Sequence, residues 1–327
     1  MIITKTPFRI SFAGGGTDLA AFYTREYGAV VSTAIDKYVY IALHKHFENK
    51  IQLKYSKTEL VDKIDDIEHP LIRECMILTN HKGSLEMTSF ADIPSKGSGL
   101  GSSSAFSVGL IKALKAFNGE QTSAEECARG ACTVEIEKLG APIGPQDQYA
   151  AAYGGFNYIK FNPDHTVNVE PILLSREQKN IIKQHLMMFY LGNTRSSNNI
   201  LSEQSKNTTN DIDKFNNLVK MRNLANELRD RLNKGDIKCF GEILHKGWTL
   251  KRELASGISN TKIDEYYEKA RTAGAVGGKV LGAGGGGFML FWVPPNKQEM
   301  VTDALSELDP FPMDFDHQGS RIIHYDD

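Results

Sequence analysis

The chain has 327 residues, 41% hydrophobic and 24% charged, with 38 basic against 40 acidic side chains and a formal net charge of -2. That is ordinary globular composition with room for two domains, and without a basic excess it argues against a nucleic-acid partner. No run of eighteen apolar residues occurs, so no membrane span is expected, and the four cysteines (Cys75, Cys127, Cys132, Cys239) form no CxxC and read as reduced, buried thiols of a cytoplasmic protein.

Residues 2–13 alternate well enough for a strand despite Pro7. The turn Gly14-Gly15-Gly16-Thr17-Asp18 then leads into a short helical pattern of Leu19, Phe22 and Tyr23. Arg9 and Asp18 flank the glycines, an opposed charge pair beside bare backbone where a polar ligand can sit. Residues 29–35, 38–43 and 51–55 read as strands, 57–80 as mostly helical, and 84–91 as another strand. Several strands with few crossover helices make an α+β pattern and not an alternating one.

Next comes Lys96-Gly97-Ser98-Gly99-Leu100-Gly101-Ser102-Ser103-Ser104, followed by Ala105, Val108, Ile111 and Leu114 at helical spacing. Glycines that open into a helix N-terminus expose unpaired N–H groups at the positive end of the helix dipole, and serines there can cap the helix or ligate a hard cation. The run therefore reads as a phosphate cradle. No Gly-Lys-Ser/Thr ends it, so it is not a Walker loop. Thr122 and Ser123 followed by Glu125 and Glu126 signal a capped helix running to about Leu139, with Gly140 and Pro142 beyond its end. Glu135 and Glu137 fall in its last turn, where the dipole disfavours carboxylates. Lys138 would relieve them, and so would a divalent metal on Glu135. Gly144-Pro145-Gln146-Asp147-Gln148 reads as a turn-rich loop carrying one acid, before a strand at 156–161.

Beyond a boundary in 165–185 come a buried strand at 186–191, helices at about 211–232, 236–254 and 262–273, strands at 279–281 and 287–293, a helix near 297–308 and a strand near 320–325. That is the split-βαβ, ferredoxin-like order. Residues 282–287 satisfy G-x-G-x-x-G, but a strand and not a helix follows, which excludes a dinucleotide fingerprint. They read as a hairpin, or as a second backbone surface reaching the phosphates from the other domain.

Three stretches together resemble the GHMP kinase superfamily: Thr6-Pro7-Phe8-Arg9-Ile10-Ser11-Phe12-Ala13-Gly14-Gly15-Gly16-Thr17-Asp18, the cradle, and Lys279-Val280-Leu281-Gly282-Ala283-Gly284-Gly285-Gly286-Gly287-Phe288. The first is similar to the heptose 7-phosphate kinase branch, as are Thr33-Ala34-Ile35-Asp36-Lys37-Tyr38 and Arg195-Ser196-Ser197. The resemblance implies the GHMP kinase fold, with a ribosomal protein S5 domain 2-like, ATP-binding domain over residues 1–170 and a ferredoxin-like domain over 171–327. It implies a phosphotransferase using ATP and Mg2+ to phosphorylate the anomeric (C1) hydroxyl of a small-molecule sugar phosphate, a heptose 7-phosphate, for nucleotide-activated heptose synthesis.

By position, the resemblance assigns ATP to Lys96, Gly97, Ser98, Gly99, Leu100, Gly101, Ser102, Ser103 and Ser104, magnesium to Ser103 and Glu135, and catalysis to Asp147 and Arg9. Acceptor contacts fall to Arg9, Gly15, Gly16, Thr17, Asp18, Gly284, Gly285 and Gly286. A sugar phosphate also needs basic groups, for which Arg195, Lys37 and Lys96 are the candidates. Galactokinases carry Glu-His where this chain has Gly15-Gly16, which implies a roomier acceptor pocket and argues against galactose. The rival expectations are another GHMP sugar kinase, acting on fucose, an N-acetylhexosamine or a galactose-like sugar, a diphosphomevalonate decarboxylase-like lyase, and a non-catalytic sensor derived from a kinase, against which Ser103, Glu135 and Asp147 speak. A homodimer is left open.

Overall fold

The computed structural model describes residues 1–93, 97–192 and 197–326. In order, the first half holds β1 (Ile2–Ala13), the one-turn α1 (Ala20–Tyr23), β2 (Gly28–His44), β3 (Ile51–Lys54), β4 (Thr58–Val61), α2 (Pro70–Leu78), β5 (Leu85–Ala91), α3 (Ser102–Phe117), α4 (Ala124–Cys132), α5 (Gln146–Tyr153), β6 (Phe156–Phe161) and β7 (Val167–Pro171). The second holds α6 (Arg176–His185), β8 (Leu186–Tyr190), α7 (Ser197–Asn210), α8 (Ile212–Asn233), α9 (Phe240–Arg252), α10 (Thr261–Ala273), β9 (Gly277–Val280), β10 (Phe288–Trp292), α11 (Gln298–Ala304), β11 (Asp309–Pro310), β12 (Phe315–Asp316) and β13 (Arg321–Tyr325). Among the described residues the strands form two sheets. One has nine strands along β13-β1-β2-β5-β3-β4, with β6, β7 and β12 attached; the other has four, in the order β11-β8-β10-β9. The second order is that of a ferredoxin-like sheet, with every pair antiparallel.

The long strands β1 and β2 are the spine, and irregularities in them aim the site. Pairing jumps from Pro7–Tyr38 to Arg9–Ala34, so Asp36 and Lys37 sit in a bulge of one continuous strand, where the sequence reading had two strands. β13 covers β1 only as far as Lys5. Pro7 then has no N–H to offer, and the next free one, on Arg9, donates to the Leu100 carbonyl at 3.2 Å. The cradle is thereby stitched to the strand edge where the neighbouring strand stops. α3 lies across this sheet with Ala105, Val108, Ile111 and Leu114 buried, as their spacing predicts. Gly109 lets it approach closely, since a Cβ there would lie 2.6 Å from Thr6 Oγ1.

Four expectations change. The segment 57–80 is only partly helical: β4 opens it, and α2 begins at Pro70. Helix α4 does not run regularly to Leu139 but widens over Thr133–Lys138, where the Leu139 N–H reaches back five residues to the Val134 carbonyl at 3.0 Å. α7 was not foreseen, because its Ser/Asn/Thr-rich sequence has poor helix propensity; it is held by packing on α1 and α8. The strand expected to close the ferredoxin-like sheet, β13, pairs with β1 in the other sheet, and β11 takes the closing place beside β8. All four cysteines are free thiols, and no helix among the described residues is long and apolar enough to cross a membrane.

Candidate active site

The two glycine-rich stretches meet. Gly97, Gly99 and Gly101 all have positive φ (70°, 74° and 75°), so the loop turns at every second residue before α3 begins. A Cβ on Gly99 would collide with the Leu281 carbonyl, and one on Gly282 would lie 2.5 Å from Gly99 Cα. Gly287 likewise faces the Ser98 carbonyl, at 2.5 Å from the Cβ position. The turn between β9 and β10 is therefore a second backbone wall pressed against the cradle, the alternative the sequence left open.

Beside this contact lies a cavity of about 270 Å³ lined from both halves of the chain. Arg9 crosses its floor. Nε and Nη2 each donate to one carboxylate oxygen of Asp147 at 2.7 Å, and Nη1 donates to the Gly99 carbonyl at 2.7 Å. Asp147 is not in a loop, as its turn-rich surroundings imply. It sits in the first turn of α5, where the helix dipole favours a negative charge. Gly101 opposite leaves room for it, a Cβ there lying 3.1 Å from Oδ2.

At the other side Asp18 Oδ1 accepts from the Gly16 N–H at 3.0 Å and from Gln146 Nε2 at 3.1 Å. Burial, and secondarily the Asp147 charge, push its carboxyl up to about 6. Around it several buried polar atoms have no partner among the described residues: both amide atoms of Gln204, Gln146 Oε1 and Ser11 Oγ. Gln204 reaches over Gly16 from α7, where any Cβ would strike its amide nitrogen. Unsatisfied buried amides cost about 1–3 kcal/mol each, so this end of the cavity is built to be filled by a ligand with hydroxyl groups.

Ser103 and Glu135 also come together. Ser103 Oγ donates to Glu135 Oε1 at 2.5 Å, and Gln148 Nε2 to Oε2 at 2.7 Å. Glu135 is buried in the widened turn after α4, and burial raises its carboxyl above the ordinary value. A buried carboxylate with a serine oxygen at a helix N-terminus suits a hard cation. No group of three or more His, Cys, Asp or Glu among the described residues could hold a metal, so phosphate oxygens would supply the other ligands, as is usual for magnesium. A second recess of about 460 Å³ adjoins the same serines and is walled by Phe8, Tyr55, Phe90 and Phe106, a shape and polarity suited to an aromatic base.

The remaining expected residues divide. Gly16, Ser102, Ser104, Gly284 and Gly286 line the cavity. Gly15 faces the amines of Lys251 and Lys279, each 4.0 Å from where its Cβ would be. Ser98 and Leu100 are buried and shape the loop from behind: Ser98 Oγ accepts from the Leu100 N–H at 3.3 Å. The Thr17 hydroxyl is committed to the carbonyls of Gly14 and Ala29, and the Gly285 N–H to that of Ile258. Lys37 does not reach the cavity; its amine sits 3.4 Å from Asp36 and over the Phe311 ring. Lys96 and Arg195 lie outside the described residues. Sequence reasoning missed Gln146, Gln148, Gln204 and Lys251. The two glutamines flanking Asp147 were a readable signal, since amides alternate with the acid there. Gln204 and Lys251 carried none, each being one polar residue on a helix.

The family model for the GHMP kinase N-terminal domain matches residues 70–155, and that for the C-terminal domain matches 228–309. The D-glycero-alpha-D-manno-heptose 7-phosphate kinase of Campylobacter jejuni is 31% identical over 326 residues, 96% of each chain. A galactokinase of Pyrococcus furiosus is 27% identical, covering 93% of this chain and 92% of its own. Among solved structures, a D-glycero-D-manno-heptose 1-phosphate kinase from Bacteriodes thetaiotaomicron superposes with a TM-score of 0.81 at 25% identity over 100% of both chains.

Proposed function

The chain belongs to the GHMP kinases, ATP-dependent phosphotransferases with an alcohol group as acceptor, and we propose that it phosphorylates the anomeric hydroxyl of D-glycero-D-manno-heptose 7-phosphate. The observation that carries this reading is the Arg9–Asp147 pair, set between the glycine cradle on one side and Asp18 with its unpaired amides on the other. The full-length similarity to a heptose 7-phosphate kinase supports the choice of acceptor, and the unpaired Gln204 amide, which fills the space over Gly16 where the sequence implied a roomier pocket, supports an acceptor recognised through its hydroxyls.

In this reading the backbone N–H groups of the cradle, apart from that of Leu100, which Ser98 holds, and those of the start of α3 bind the triphosphate. The apolar recess beside Phe90 and Phe106 takes the base. Ser103 and Glu135 would hold a magnesium ion, which would neutralise charge on the transferring phosphates. Asp147 accepts the proton of the attacking hydroxyl and passes it to water. Arg9 keeps that carboxylate aimed, and Asp18, Gln146 and Gln204 orient the sugar through its hydroxyls. Positioning and charge stabilisation supply most of the rate in such transfers.

The test is ADP release with magnesium across heptose 7-phosphate, heptose 1-phosphate, hexose phosphates, galactose and fucose. Turnover should be at least ~10-fold higher with heptose 7-phosphate than with any other acceptor, a gap that one well-read polar group provides. Phosphorus NMR should find the new phosphate at C1. Preference for heptose 1-phosphate, or for an unphosphorylated sugar, would overturn the assignment.

A further inference from the structure

Resting on that reading, we propose that Lys251 is a catalytic cation whose ammonium contacts the phosphoryl group as it passes from the cradle to the acceptor. Lys251 is in the last turn of α9, in the opposite half of the molecule from the cradle, and is buried. Its amine donates to the Gly282 carbonyl, and Gly282 is the residue pressed on Gly99. The same amine faces Gly15 and lines the cavity shared by Arg9, Asp18, Asp147 and Ser103. It thus stands where the donor wall and the acceptor pocket adjoin.

Its environment leaves it short of partners. Gly282 is its one hydrogen-bond acceptor among the described residues, and none of their ion pairs includes it. A buried ammonium with a single carbonyl partner is unfavourable, by several kcal/mol in general, unless an anion joins it. Lys279 makes the contrast. It is equally buried and also faces Gly15, but it donates to the Ser11 carbonyl at 2.7 Å and is not among the residues lining the cavity, so it braces the wall. The charged groups around Lys251 are Arg9 from β1, Asp18 from the turn after β1, Asp147 from α5 and Lys279 from β9. Desolvation is the largest influence on it and brings the amine down to about 8, so it is mostly protonated at neutral pH.

During transfer the acceptor oxygen forms a bond to phosphorus, the bridging P–O bond breaks with its electron pair leaving on ADP, and the acceptor proton goes to Asp147. Lys251 exchanges no proton. It offers its remaining N–H groups to the equatorial oxygens, where the charge is spread, from the side opposite the cradle.

The experiment compares Lys251→Met and Lys251→Arg in the full chain, reading steady-state ADP release, affinity for a non-hydrolysable ATP analogue, and melting temperature. Lys251→Met should lower kcat at least ~100-fold while KM for the sugar phosphate and analogue affinity change less than ~3-fold. Lys251→Arg should recover at least ~10-fold of that loss. Wild-type kcat/KM for ATP, which reports the free enzyme, should fall above about pH 8, and in Lys251→Arg the fall should move to higher pH. Unchanged kcat in Lys251→Met would overturn the proposal. So would a loss of analogue affinity in step with melting temperature, which would make Lys251 a strut for the Gly282 turn, or a rise in sugar-phosphate KM alone, which would make it an acceptor anchor. If no sugar in the panel releases ADP from the wild type, the functional reading fails separately. Slow ATP hydrolysis to water then serves as the readout for Lys251, with the same fold-changes expected.

Discussion

Arg9 gives Asp147 two N–H donors, one to each oxygen, so the carboxylate has no freedom to turn from the cavity. Asparagine in that place keeps the volume but loses one acceptor and sets an NH2 against a guanidinium N–H. Asp147→Asn should therefore cost at least ~100-fold in kcat, with affinity for an ATP analogue changed less than ~3-fold, because the cradle's own N–H groups are untouched. Steady-state kinetics with calorimetry separate the two, and near-normal turnover would remove Asp147 from the chemistry. Asp18 makes a different kind of prediction. Its carboxyl is raised to about 6 from 3.8, so it is neutral below that pH and ionised above it. A carboxylate accepts hydroxyl hydrogen bonds more strongly than a carboxylic acid does. KM for the acceptor should therefore rise as pH falls through about 6, and Asp18→Asn should flatten that limb. A pH-independent acceptor KM in the wild type would mean that Asp18 does not hold the sugar.

At the scale of elements, the contact between the cradle and the β9–β10 turn has no room for side chains, which two glycines can test against each other. Gly99 and Gly119 both have positive φ, 74° and 78°, so alanine at either should cost about 1 kcal/mol in backbone strain. At Gly119 nothing lies within 4 Å of the new methyl, whereas at Gly99 it meets the Leu281 carbonyl. Gly119→Ala should lose about 1 kcal/mol in urea unfolding with full turnover. Gly99→Ala should lose more stability and at least ~10-fold in kcat/KM for ATP, since the two walls must part. Equal behaviour of the two variants would show that the contact is unimportant. This interlock also marks what the sequence could and could not convey. The cradle, its helix, the glycine triplet and the β9–β10 turn each carry a local pattern of glycine, serine and helical spacing, and so were legible. Asp147 was legible as a candidate acid but not as a helix residue, because Gly144 and Pro145 dominate the local signal. α7 was not legible at all: a Ser/Asn/Thr-rich stretch becomes helical only through tertiary packing, and with it went Gln204. Lys251 was hidden for the opposite reason, since a lysine in the last turn of a helix is fully accounted for by the dipole.

Across the whole molecule, the last residues of the chain hold the two sheets in register around the cavity. β11 hydrogen-bonds β8 in the four-stranded sheet, and within a few residues β12 and β13 hydrogen-bond β2 and β1 in the nine-stranded one. The crossing is pinned by contacts that are buried or partly so. Ser320 Oγ is 2.7 Å from Thr6 Oγ1, Gly319 packs against the Ala152 carbonyl, and Asp36 Oδ1 accepts from the Asp314 N–H at 2.7 Å. Thr6, Arg9 and the bulge at Asp36 all lie on the β1–β2 spine that aims Arg9 into the cavity. Removing residues 315–327 would uncover the edge of β1 and leave the Thr6 hydroxyl without Ser320, although little of β13 itself is buried. A chain cut after residue 314 should therefore melt at least ~5 °C lower. It should also lose turnover by a larger factor than its melting curve explains at the assay temperature, because the strand carrying Arg9 is no longer clamped on that side. Calorimetry and ADP release on the same preparation check this. A truncated chain that melts lower but turns over normally while folded would mean that the tail stabilises the sheet without positioning the site.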